Sequence, residues 1–214
     1  MKIICLDMEG VIAPEIWIEL AERTGIDALR RTTRDEPDYD VLMRSRLDIL
    51  HGHGIGMEAL QPIIDRIEPL PGAVEFLDVL RRDWQVVILS DTFYEFVGPL
   101  MVKLGRPTLF CHRIVSDGNG RLTGYELRLP NHKQAAVDAF RALNFTVFAA
   151  GDSYNDTRML GAADAGFLFR PPQNVIDEFP QFPVHTDYAT LIEAFRAAEG
   201  ANLSSAPKRA ISAG

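Results

Sequence analysis

Two short apolar runs lie far apart in this chain, and each ends in carboxylates. The first, Ile3-Ile4-Cys5-Leu6, leads into Asp7-Met8-Glu9-Gly10-Val11. The second, Val147-Phe148-Ala149-Ala150, leads into Gly151-Asp152-Ser153-Tyr154-Asn155-Asp156. Apolar runs of this length suit strands buried on both faces of a parallel sheet, and sites gather outside the carboxyl ends of such strands. Strands lying side by side would bring Asp7, Glu9, Asp152 and Asp156 into one small volume. Two carboxylates about 4 Å apart repel by roughly 4 kcal/mol at an effective dielectric of about 20. Such a cluster calls for a cation, and its hard oxygen donors favour Mg²⁺.

The remaining pattern alternates between strand and helix, which implies a parallel sheet with helices on both faces. From Pro14 to about Pro69 the texture is helical and charged, with segments at 16–23, 39–50 and 57–67 and a stop at Gly25. A helix after Pro71-Gly72-Ala73 runs roughly to Arg82, followed by a strand over 85–89 and a helix from about Tyr94 to Leu104. Thr108-Leu109-Phe110 reads as a short strand. The dense turn Ser116-Asp117-Gly118-Asn119-Gly120 predicts a β-hairpin joining Ile114-Val115 to 122–127. A helix over 133–143, strands over 146–150 and 165–169, and a last helix capped by Asp187 and ending near Ala198 complete the pattern.

At 214 residues the chain is one domain, or one domain with an insertion. Its 22 Lys and Arg against 30 Asp and Glu give a net charge of −8, which argues against a nucleic-acid binder. A small anionic substrate remains compatible, because the field of a pocket is local and a metal inverts it. No apolar run reaches transmembrane length, and Asp7 and Glu9 interrupt any signal-peptide core. Two cysteines, Cys5 and Cys111, are too few for a disulfide framework, so a reduced, cytoplasmic protein is expected. Oligomeric state stays open, a homodimer included.

Four segments in order resemble the motifs of the haloacid dehalogenase superfamily of aspartate-nucleophile phosphotransferases. They are Asp7-Met8-Glu9-Gly10-Val11, Ile88-Leu89-Ser90, Lys133, and Gly151-Asp152 with Asp156. The resemblance spans residue 3 to about residue 170. It implies a Rossmann-like, doubly wound α/β core over 1–13 and 71–199 with a small helical cap over 14–70, while the small, polar composition of 200–214 reads as a flexible tail. It also implies Asp7 as nucleophile and Glu9 as acid/base, where the family usually has a second Asp. Ser90 and Lys133 would hold the phosphoryl group. The implied metal set is Asp7 and Asp152 as direct Mg²⁺ ligands, Glu9 through its backbone carbonyl, and Asp156 holding a metal-bound water or orienting Lys133.

Within the superfamily the chain is most similar to phosphoserine phosphatases, especially those that also move the phosphoryl group to homoserine. The likeness rests on Glu15, on Leu42-Met43-Arg44-Ser45-Arg46-Leu47, on Ser90-Asp91-Thr92-Phe93, and on Asp152-Ser153-Tyr154-Asn155-Asp156. It implies that Glu15 meets a substrate ammonium and Arg46 grips a carboxylate, with Arg44 as the competing candidate. Asp91-Thr92 stands where plain phosphatases carry Gly-Gly, which favours the transferring group. Asp91 could receive an ammonium, and Asn155 could touch substrate or cap a helix. The expected substrates are L-phosphoserine and, as acceptor, homoserine. The alternative is a sugar-phosphate or nucleotide phosphatase. A phospho-accepting receiver uses similar groups, but it is shorter and lacks a cap-sized insertion. His51 and His53 read as a solvated bend, and His112, His132 and His185 as isolated residues.

Overall fold

The computed structural model describes residues 1–32, 35–36 and 38–205. Its centre is a seven-stranded sheet of order β4-β3-β2-β1-β5-β6-β7. The strands are β1 (Lys2–Leu6), β2 (Gln85–Phe93), β3 (Thr108–Ser116), β4 (Leu122–Glu126), β5 (Thr146–Gly151), β6 (Ala165–Phe169) and β7 (Val184–His185). All neighbours pair in parallel except β3 and β4, which form the expected antiparallel hairpin.

Alternate residues of the central strands feed two separate cores, because successive side chains of a strand point to opposite faces. Ile4, Leu6, Ile88, Phe148 and Ala150 join one core, while Ile3, Cys5, Val87, Leu89, Val147 and Ala149 join the other. The first face is covered by α4 (Ala73–Asp83), α5 (Tyr94–Lys103) and α9 (Tyr188–Ser205), and α1 (Ile16–Thr24) packs into the same core. The second is covered by α6 (His132–Ala142), α7 (Thr157–Ala162) and α8 (Gln173–Glu178). This is the doubly wound arrangement that two-sided apolar strands require.

Helices α1, α2 (Tyr39–Gly52) and α3 (Met57–Ile64) lie between β1 and α4, in the segment expected to form a cap. They reach the hairpin: the Met57 N–H donates to the Gly120 carbonyl at 2.8 Å, and the Tyr125 hydroxyl donates to Asp40 Oδ1 at 2.6 Å.

Several elements differ from expectation. Thr108-Leu109-Phe110 is the start of a strand that continues to Ser116, with Cys111, His112 and Ile114 buried. β2 also runs past Leu89, but irregularly. Leu89 pairs with Phe110 and Phe93 with His112, so Ser90, Asp91 and Thr92 face Cys111 alone. Such a bulge re-aims side chains at a strand end. α8 and β7 carry too weak a pattern to be read in advance. The last helix continues to Ser205 rather than ending near Ala198, because Glu199 pairs with Lys2 and accepts from Trp84 Nε1 at 2.9 Å. Residues 206–214 of the expected tail lie outside the described residues. Both cysteines are buried free thiols, and no described helix is long and apolar enough to cross a membrane.

Phe195 ties α9 to the sheet. It is fully buried, and its ring centroid lies 5.3 Å from that of Phe167, 6.4 Å from Phe148 and 6.4 Å from Trp84. Truncation leaves a cavity that rigid strands cannot close. Phe195→Ala is expected to cost about 3–5 kcal/mol, measured by urea denaturation. A loss under about 1 kcal/mol would show that α9 contributes little to the fold.

Candidate active site

β1 and β5 lie side by side, and the Asp7 N–H donates to the Ala150 carbonyl at 2.9 Å. Pairing therefore continues one step past Leu6 and sets Asp7 beside the segment that carries Asp152. The chain then winds tightly, with Ile12 and Ala13 both donating to the Met8 carbonyl at 2.8 and 2.9 Å. Gly10 makes that winding feasible. Its φ is +76°, and a Cβ there would sit 2.5 Å from the Asp152 carboxylate. Gly151 is likewise pressed against the Asp156 side chain, leaving no room for a Cβ.

The expected carboxylates do converge. Oxygens of Asp7, Asp152 and Asp156 lie within 4.8 Å of one another, and all three residues are buried. Lys133, near the start of α6, reaches Asp7 Oδ1 and Asp156 Oδ1, each at 2.8 Å. Asp156 Oδ2 accepts the backbone N–H groups of Asp152 at 3.0 Å and Ser153 at 3.2 Å. Both oxygens of Asp156 are thus engaged by protein donors, which suits a supporting role. Asp7 and Asp152 lie beside it in the same cluster. Ser90 is buried in the bulge of β2 and accepts from the Thr92 N–H at 3.3 Å.

The charges are not balanced. Burial pushes the Asp7 carboxyl well above the usual range, and Asp156 and Asp152 add to this against the pull of Lys133. Burial alone would lower Lys133, but Asp156, Asp7 and Asp91 outweigh it and hold the ammonium charged. Three buried carboxylates with one ammonium among them fit a small divalent cation with oxygen ligands.

Glu9 accepts the Ile16 N–H at 2.8 Å. Burial, then the charge of Glu15, pushes its carboxyl up to about 8. It is therefore protonated at neutral pH, the state a general acid needs. Glu9, Glu15, Arg46, Asp7 and Lys133 line one cavity of about 70 Å³.

Between the two competing arginines the geometry favours Arg46. Arg44 points outward and pairs with Asp40 at 2.6 Å. Arg46 is buried, its guanidinium 4.5 Å from the Trp17 ring centroid. Its Nη2 donates to the Arg31 carbonyl at 2.7 Å, and its Nε has no partner among the described residues. The signal was in the sequence: Leu42, Met43, Arg46 and Leu50 are the buried stripe of α2 at helical spacing.

Two functional candidates escaped the sequence reading. His112 and His132, expected to be isolated, are both buried and both meet Asp91, at 3.4 and 3.0 Å. Asp91 also takes Asn155 Nδ2 at 2.7 Å and stands 3.4 Å from Lys133 Nζ. Burial would raise its carboxyl, but Lys133 and the two imidazoles hold it well below the usual range. His51 and His53 are exposed, as expected.

A buried carboxylate just past the first strand, an acid two residues on with a raised pKa, a buried ammonium and a carboxylate cluster that fits a cation thus meet at one end of the sheet. The chain belongs to the haloacid dehalogenase-like hydrolases, whose family profile matches residues 10–161. Among curated relatives, a protein of Pseudomonas syringae pv. tomato named phosphoserine phosphatase is 60% identical over 187 residues, covering 87% of this chain and 79% of that one. One of Pseudomonas aeruginosa, named phosphoserine phosphatase ThrH, is 57% identical over 204 residues, covering 95% of this chain and all (100%) of that one. A solved phosphoserine phosphatase in apo form has the same fold, with TM-score 0.74 at 22% identity, over 90% of this chain and 98% of that one.

The Glu9 environment predicts a pH signature in metal-free protein. The folded value near 8 lies above the ordinary 4.5. Stability from this group is complete below the lower value and is lost as pH rises through the higher one. Each unit is worth about 1.4 kcal/mol, so the whole effect is of a few kcal/mol. In EDTA, wild-type protein should lose more stability than Glu9→Gln between about pH 5 and pH 9, followed by urea denaturation. Parallel pH curves for the two proteins would rule out a neutral Glu9.

Proposed function

We propose that this protein is a Mg²⁺-dependent phosphoserine phosphatase that works through an aspartyl-phosphate on Asp7 and also transfers the phosphoryl group to homoserine. The observation that carries the substrate assignment is Arg46. It is a buried guanidinium with an unpartnered Nε, in the same small cavity as Asp7. A planar, charged donor set of this kind suits a carboxylate. Glu15 lines the cavity too, and offers a carboxylate for an ammonium. Phosphate, ammonium and carboxylate together describe a phospho-amino acid. The names of the relatives at 60% and 57% identity point the same way.

In this reading Asp7 attacks phosphorus and the bond to the serine oxygen breaks. Glu9 gives its proton to that oxygen, so serine leaves neutral. Lys133 and Ser90 hold the phosphoryl oxygens, and Asn155 stands beside them. Glu9, now ionised, takes a proton from water or from the homoserine hydroxyl. That oxygen attacks the phosphorus of the aspartyl-phosphate and frees Asp7. Asp7, Asp152 and the Glu9 backbone carbonyl would hold Mg²⁺, whose charge offsets that of the phosphoryl group. Asp156 orients Lys133. The segment over 14–70 acts as a cap that keeps water away until the acceptor arrives. We assign the enzyme to the reducing cytoplasm, which accords with its two free thiols.

Purified protein with Mg²⁺ and L-phosphoserine should release phosphate, and added homoserine should divert part of it to phosphohomoserine. Activity should vanish in EDTA and in Asp7→Asn. Failure on phosphoserine alongside turnover of an aryl phosphate would overturn the substrate assignment. Arg46→Lys keeps the charge but loses the forked donor set. It should raise KM for phosphoserine about tenfold or more, with little change for the aryl phosphate. An equal loss on both substrates would remove Arg46 from carboxylate recognition.

A further inference from the structure

Asp91, His112 and His132 come from β2, β3 and α6, and the proposed reaction gives the two histidines no task. Their ligand atoms lie close enough together to hold a metal ion. The hydrogen bonding argues otherwise. His112 Nδ1 accepts the backbone N–H of Arg128 at 3.2 Å, so the ring proton sits on Nε2, which faces Asp91 Oδ1. A metal on Nε2 would drive that proton to Nδ1, against the Arg128 N–H. His132 Nε2 lies 3.0 Å from the same oxygen, while its buried Nδ1 has no partner. Burial lowers the His132 pKa, so this ring is a neutral N–H donor. Two imidazole N–H groups therefore converge on Oδ1.

The other oxygen, Oδ2, receives Asn155 Nδ2 at 2.7 Å and faces Lys133 Nζ at 3.4 Å. Four donors saturate the carboxylate, which leaves Asp91 no free lone pair for a substrate ammonium. An ammonium has three hydrogens, and Lys133 faces three carboxylates. Its approach to Asp91 is the longest, against 2.8 Å to Asp7 and to Asp156. A phosphoryl oxygen beside Asp7 would draw on that loosest N–H first. The Tyr39 hydroxyl donates to the Asp91 carbonyl at 3.0 Å, which fixes the backbone as well.

We propose that Asp91 is a positioning residue: His112 and His132 clamp one of its oxygens, so that the other holds Lys133 and Asn155 ready for the phosphoryl group. This rests on the phosphoryl-transfer reading of the site.

Asp91→Asn keeps an oxygen for the imidazoles but turns an NH₂ toward Lys133 and Asn155. It also removes a negative charge beside the phosphoryl position. The expected result is a split. kcat on phosphoserine falls roughly tenfold, KM does not rise, and inorganic phosphate with Mg²⁺ inhibits at lower concentration than in wild type. His132→Leu should show the same fall in kcat, and His132→Gln, which restores an N–H donor, should recover part of it. Nitrogen NMR of metal-free wild type needs no variant: both imidazoles should carry their proton on Nε2, and neither should change on adding Zn²⁺.

Unchanged kcat in Asp91→Asn would overturn the role, as would a rise in KM and in the phosphate inhibition constant together. Zn²⁺ held on the Nε2 atoms would overturn it in favour of a metal centre. Wild-type protein that hydrolyses no phosphomonoester would overturn the proposed function and this role with it. An active wild type with an unchanged Asp91→Asn would overturn the role alone.

Discussion

The ion pairing around Lys133 is the constraint on which the site depends. One buried ammonium lies within 3.4 Å of three carboxylates that come from β1, β2 and the turn after β5. Without it, Asp7 and Asp156 would face each other as uncompensated buried charges, a cost of several kcal/mol per ion. With it, three strand ends are drawn to one point. The pairing leaves net negative charge behind, and that residual charge makes the cluster attractive to a cation.

Much of this was legible because it was local. Apolar strands that end in acid groups announce themselves over a few residues, and the two that matter most were neighbours, as a parallel sheet with β1 at its centre requires. Lys133 was legible only through its order among the motifs. The Asp91–His112–His132 cluster was not legible at all. It depends on a bulge that sets Ser90, Asp91 and Thr92 against Cys111, and on a backbone N–H of Arg128 that chooses the His112 tautomer. Neither leaves a pattern in side-chain types. Arg46 lies between these cases: its spacing from Leu42, Met43 and Leu50 marks an inward face, whereas charge alone suggested a solvated one.

Two acids that line one cavity are held in opposite charge states by their surroundings. Burial and Glu15 keep Glu9 protonated, while Lys133 and two imidazoles keep Asp91 ionised. Their pKa values are pushed apart by neighbours rather than by residue type, so one pocket keeps one carboxyl neutral and another charged.

Tyr39 joins α2 to this machinery. Its hydroxyl holds the Asp91 carbonyl, and its ring packs edge-on against both His112 and Tyr125. Lifting α2 away must break that hydrogen bond and uncover one side of the imidazole clamp. Linkage then runs both ways. Whatever free energy a ligand gains from an intact clamp also holds the helix down, and whatever holds the helix down tightens the clamp. A tyrosine outside the carboxylate cluster thereby makes the hold on Asp91 and the position of α2 a single thermodynamic variable.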